Sequence, residues 1–334
     1  SIRRSLDYNR EQFGPYMHDQ ARIIEFPRYA TFAQAFPGTM PYSEAIGFIA
    51  RIDDEEDIDF VFYVVAHEMA HQWWAHQVIG AEVEGATLMS ETLSQYSALM
   101  TMEREYGQEQ IHKFLKYEMD NYLSARGTET LQEKPLMRVD ASQGYVHYRK
   151  GAVVLYYLRE MLGEDTLNSA LRGLVEDFAY AEPPYPTSHE MVDRIRAVTP
   201  DSLGYLINDL FEEITLYDNR IVGDPEMEEL DDGRWRVRYQ VQAAKIRADS
   251  VGAETAVPMD DYVDLAVLAR PEDGAERGEI LARERRRLTD GEHTIEFVVD
   301  AQPWQVAVDP DYYLIDRVPD DNIARVRTAV TPDR

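Results

Sequence analysis

The stretch that most constrains this chain is Val65-Ala66-His67-Glu68-Met69-Ala70-His71-Gln72-Trp73-Trp74. Residues four apart on a helix share one face, one turn above the other, so His67 and His71 can hold one metal ion between them. Glu68 then lies beside that ion, where a carboxylate can take a proton from an attacking water. The run before it, Phe60-Val61-Phe62-Tyr63-Val64-Val65-Ala66, is apolar enough for a buried helix. A chance His-Glu-x-x-His match falls more readily on a polar surface helix. The spacing and its apolar setting together point to zinc.

Two histidines need a third protein ligand, with a fourth position left open. The chain has no cysteine, so that ligand is a histidine or a carboxylate. Glu91 is the preferred candidate. It stands in the weakly charged run Leu88-Met89-Ser90-Glu91-Thr92-Leu93, where a carboxylate must face something that satisfies it. Glu82 and Glu84 sit in the preceding connection and read as surface. Gln95, one turn after Glu91, is either a group that orients a ligand or a solvated amide.

The zinc motif followed by Glu91 resembles the gluzincin aminopeptidases, the family of alanyl aminopeptidase and leukotriene hydrolase. A second block, His147-Tyr148-Arg149-Lys150-Gly151, is similar to that family's Tyr-x-Lys-Gly helix start. By that resemblance Tyr148 stabilises the oxyanion, and Tyr145 is a neighbour without that match. A third block, Pro41-Tyr42-Ser43-Glu44-Ala45, falls where the family has Gly-x-Met-Glu-Asn, and only Glu44 matches. The resemblance implies that Glu44 grips the free amino group of a peptide substrate. The implied activity is hydrolysis of the N-terminal peptide bond of peptides by a water that Glu68 activates, with Zn2+ held by His67, His71 and Glu91. Two other readings stay open: a thermolysin-like endopeptidase, and a non-catalytic zinc-holding domain that binds peptides or partners in a membrane complex.

This chain departs from the family in one extra residue between His71 and the third ligand, expected to be absorbed around Ala75 to Gly80. The usual amino-terminal β-domain over the cleft lies outside these 334 residues. The wording His76-Gln77-Val78-Ile79 and Ser90 to Leu99 is similar to a bacterial subgroup whose peptidase domain is the carboxy-terminal part of an ABC-transporter permease. A chain that starts at Ser1 fits an excised piece of such a protein: a soluble domain, tethered through a part not present here, on an unassigned side of the membrane. No apolar run approaches the ~20 residues that cross a bilayer.

The net charge of −28 would repel nucleic acid. It suits solubility, or attraction of cationic groups such as peptide amino termini.

The expected fold class is α+β: a thermolysin-like, mostly helical zinc-peptidase domain over residues 1–215, then an all-β sandwich over 216–318 and a polar tail over 319–334. Helices are expected over 1–20 (with its exit), 60–76, 87–106, 109–123, 148–162, 166–178, from the capping box Thr187-Ser188-His189-Glu190 to Val198, and over 203–211. In the first domain the strands are Arg22–Phe26 and Ala45–Ala50, with a solvated acidic loop from Arg51 to Asp59. After Thr215 the pattern alternates, with strands over 234–241, 262–268 and 293–299 and turn signals at Asp231-Asp232-Gly233 and Asp290-Gly291.

Overall fold

A computed structural model describes residues 1–47, 49, 58–272 and 277–328. They form two compact units, Ser1–Ile214 with Ser250–Gly252, and Thr215–Asp249 with Ala253 onward.

The first unit is helical, with one small sheet. Helices α1 (Ile2–Phe13), α2 (Phe60–Ala70), α3 (Leu93–Tyr106), α4 (Ile111–Arg126), α5 (Gly151–Leu162), α6 (Glu164–Phe178) and α7 (Ser188–Val198) follow one another. The α2 run is capped by Asp59, whose carboxylate accepts the Phe62 N–H at 2.8 Å. It stops at Ala70, short of the expected His76, because the chain turns back: Ala75 takes a φ of 117°. Trp73 and Trp74 in that turn have no exposed surface. Burying each is worth ~4–6 kcal/mol of transfer free energy, so the turn is firmly seated.

Polar groups also meet inside this unit. Asn168 on α6, fully buried, donates to Tyr8 Oη and Gln12 Oε1 on α1 and accepts from Tyr96 Oη on α3. A buried amide satisfied on both ends fixes the register of three helices against one another.

The small sheet corrects one expectation. Strand β1 (Arg22–Phe26) pairs in parallel with β2, which spans Thr39–Ser43, not Ala45–Ala50. Ser43 ends the strand: its hydroxyl accepts the Ala45 N–H and its carbonyl the Ile46 N–H, which bends residues 44–47 into a turn. Phe48, Ala50 and most of the expected acidic loop, 51–57, lie outside the described residues. Before β2, residues 32–36 fold back on it as a tight hairpin through Pro37-Gly38, with bridges Ala33–Tyr42 and Phe36–Thr39.

The second unit is a β-sandwich of two four-stranded sheets with a three-stranded one beside them. One sheet runs Gly291–Val299, Trp235–Ala243, Arg220–Glu229, Arg327–Thr328; the other runs Ile323–Arg325, Gln305–Val308, Asp260–Leu268, Ile280–Thr289. The three-stranded sheet joins Ile214–Tyr217, Lys245–Ala248 and Glu254–Val257. Val237, Tyr239 and Val241 point inward while Arg238 and Gln240 face out, as a half-buried strand requires. Residues 319–328, expected as a polar tail, instead supply a 3-10 turn and two short strands, because Ile323–Ala324 and Val326 are apolar enough to close the sheet edges.

Candidate metal centre and cleft

His67 and His71 stand one turn apart at the carboxyl end of α2, both buried. Their Nε2 atoms are 3.0 Å apart. Glu91 arrives from the start of the α3 segment and places Oε2 3.3 Å from each of them. His67, His71 and Glu91 are thus brought together as three donors that could hold a metal ion.

The separations test the fit to zinc. Zinc–ligand bonds of about 2.0–2.1 Å at tetrahedral angles put neighbouring ligand atoms about 3.3 Å apart. The triad has that spacing. The His71 tautomer agrees as well. His71 Nδ1 lies 2.9 Å from the Trp74 carbonyl, so its proton is donated there and Nε2 keeps a free lone pair. Ser94 Oγ also lies 3.0 Å from that Nδ1. Ser94, and not Gln95, is therefore the α3 side chain that orients a ligand; Gln95 lines the neighbouring cavity. Burial would raise the Glu91 carboxyl, but the two histidines beside it outweigh that and hold it below the usual carboxylate range.

Glu91 sits in a π turn, Leu88–Thr92, and Tyr148 in another, Tyr145–Lys150. Such turns hold one residue more than an α turn and recur at functional sites. The two π turns are joined: Thr92 Oγ1 donates to the His147 carbonyl at 2.6 Å. A Cβ at Gly151 would come within 2.6 Å of Thr92 Cγ2, so glycine is what lets the segments carrying Glu91 and Tyr148 approach.

Glu68 and Tyr148 complete the cluster. Glu68 is buried, and desolvation raises its carboxyl above the usual range. The Tyr148 ring lies 5.8 Å from the His67 ring and 4.3 Å from that of His147. Burial, then the Glu91 charge, push the Tyr148 hydroxyl up, so it stays a proton donor across the neutral range.

Two adjoining cavities open on these groups, of about 400 and 370 Å³. Both are bordered by Phe32, Ala33, His67, Glu68 and Tyr148. Their wall is the hairpin strand before β2, and Gln72 fastens it. The Gln72 amide donates to the Phe36 carbonyl at 3.1 Å and accepts the Gly38 N–H at 2.9 Å. Gln72 follows the second histidine directly, a signal that was present in the sequence and carried no assigned role.

Glu44 is the site residue the structure does not bring in. It borders neither cavity, and its carboxylate accepts the Arg28 N–H at 3.2 Å, with Arg28 Nε 4.0 Å away. Residues 32–35 line the cavity beside the triad, where the chain doubles back before β2.

A His–His–Glu donor set beside a buried carboxylate, carried on packed helices, is the arrangement of a metal-dependent hydrolase. Residues 2–200 match the Peptidase family M1 domain, and the chain belongs to that family. It is 25% identical over 183 residues to human (Homo sapiens) endoplasmic reticulum aminopeptidase 2, covering 52% of this chain and 19% of that protein. It is also 25% identical over 174 residues to aminopeptidase M1-A of Oryza sativa subsp. japonica, covering 50% and 20%. The chain thus spans about a fifth of the length of these curated relatives. Among solved structures, Legionella pneumophila aminopeptidase A in complex with aspartic acid superposes over 99% of this chain and 34% of its own. That match has a TM-score of 0.51 at 15% identity and speaks to the fold.

Proposed function

We propose that this chain is the peptidase part of a zinc aminopeptidase, with residues 1–215 as its catalytic domain and the β-sandwich following. The observation that carries this reading is the convergence of His67, His71 and Glu91 at ligand spacing with Glu68 buried beside them. Bound zinc supplies a Lewis acid that polarises the scissile carbonyl and makes water more acidic. Glu68 takes the proton of the attacking water and passes it to the leaving amine. Tyr148 donates its hydroxyl hydrogen to the oxygen that gains charge. Ser94 and the Trp74 carbonyl hold His71 in the tautomer that leaves Nε2 free.

Exopeptidase action is supported by the relatives, which are named aminopeptidases. Substrates are then peptides with a free amino terminus, and Glu44 is not their anchor in this reading. The similarity to permease-fused peptidase domains supports a place within a larger membrane protein. Among the described residues no helix is long and apolar enough to cross a membrane.

The test is turnover by the zinc-loaded chain. Leucine arylamide and Leu-Ala-amide should be hydrolysed, and their N-acetylated forms should not. Cleavage of the acetylated peptide at an equal rate would replace this reading with an endopeptidase. Tyr148→Phe should keep the metal and lower kcat by about 10²–10³-fold with little change in KM, since the lost bond forms chiefly in the transition state. A rise in KM at constant kcat would assign Tyr148 to substrate binding.

A further inference from the structure

Tyr148 is followed by Arg149, and both border the cavity that holds Gln95, Tyr117 and Val64. Both lie in the π turn over Tyr145–Lys150. Among the described residues, Arg149 is the one guanidinium or ammonium group bordering either cavity.

Its orientation is fixed from behind. Arg149 Nη1 donates to Glu118 Oε2 at 2.9 Å, and Glu118 on α4 has no exposed surface. Tyr63 on α2 donates to the other Glu118 oxygen at 3.1 Å. The Tyr117 ring lies 5.4 Å from the guanidinium carbon. A tie between α4 and the π turn would account for a fully buried pair. It does not account for the asymmetry: the carboxylate is sealed, while 34% of the Arg149 side chain stays exposed. The pair is a fixed dipole with its positive end at the cavity. The other side-chain charges there, Glu68 and Glu91, are acidic, as is the chain as a whole, so apart from the metal Arg149 is the cation a carboxylate-bearing ligand meets.

We propose that Arg149 sets substrate specificity by binding a carboxylate carried next to the bond under attack. The inference rests on the cleft being a peptide site, as proposed above. The carboxylate is either the terminal one of a dipeptide or that of an acidic side chain. A guanidinium binds both through the same fork of N–H groups.

Binding to a protein that cannot turn over separates this inference from the catalytic reading. Zinc-loaded Glu68→Gln protein is titrated calorimetrically with Leu-Ala, Leu-Ala-amide and Leu-Glu-amide. With Arg149 in place, at least one carboxylate-bearing peptide should bind about ten-fold or more tighter than Leu-Ala-amide, the size of a charge-assisted bond. A gain for Leu-Ala alone assigns the terminal carboxylate, and a gain for Leu-Glu-amide alone the side chain. In Glu118→Gln/Arg149→Met, which removes both charges and leaves no buried carboxylate behind, the ratio should fall to about one. Arg149→Lys should keep part of it. The same ratio in the double variant would overturn the proposal and send the carboxylate to the metal. Equal weakening of all three peptides would reduce Arg149 to a structural tie. Failure of hydrolysis in the unmodified chain would count against the catalytic reading alone.

Discussion

Glu68→Gln is expected to leave about one zinc per chain and to lower kcat by about 10²–10⁴-fold, the usual weight of a general base. The donors at ligand spacing are His67, His71 and Glu91, and Glu68 is not among them. Its carboxylate is buried beside them in both cavities. Glutamine has the same shape and hydrogen-bonding reach but cannot take the water proton. The substitution therefore removes proton transfer and little else. Metal analysis and steady-state rates on the same preparation decide it. Loss of zinc, with activity returning as the metal is restored, would show that Glu68 is a ligand.

The zinc helix was legible because periodicity and chemistry coincide there. Phe60 to Ala66 has the apolar content of a buried helix, and His67 and His71 repeat at its pitch. Glu91 stood out as a charge in an apolar stretch. Tyr148 was reached through resemblance, since nothing in a local pattern announces a π turn. Glu44 was also reached through resemblance, on a single matching residue, and it lines neither cavity; the hairpin at Pro37-Gly38 puts residues 32–35 there.

The sandwich shows the same limit in its strands. Tyr262 to Leu268 is buried almost throughout, so its largely apolar run is plain. Its neighbour Ile280–Thr289 reads as a run of charges, Arg283-Glu284-Arg285-Arg286-Arg287, and was not expected as a strand. It is an edge strand whose arginines are matched to the strand beside it: Arg285 Nε donates to buried Asp264 at 2.7 Å, and Arg283 pairs with Asp264 and Asp311. Charged edges are a recognised way to keep sheets from pairing further. Arg220–Glu229 was hidden by a register shift between Val222 and Glu226, where Gly223 takes a φ of 71° and the period of two is lost.

His71→Ala is expected to empty the metal site, with bound zinc after dialysis falling to a small fraction of one per chain. Three protein donors are what a site with an open fourth position provides. Without the His71 imidazole two remain, and Glu91, which stands 3.3 Å from both histidines, keeps one of those neighbours. The ring also closes the turn after α2 through the Trp74 carbonyl, so part of the loss could come from the turn itself. Ser94→Ala separates the two causes. It removes the hydroxyl 3.0 Å from His71 Nδ1 and leaves every donor and the Trp74 contact in place. Loss of such an outer partner lowers metal affinity by about 10–100-fold, far less than loss of a ligand. The expected order of zinc retention at a fixed chelator concentration is therefore unmodified chain, Ser94→Ala, His71→Ala. Full occupancy in His71→Ala would rule out this centre. Equal emptying of both variants, with unchanged thermal unfolding, would mean that the tautomer set by Ser94 matters as much as the ligand count.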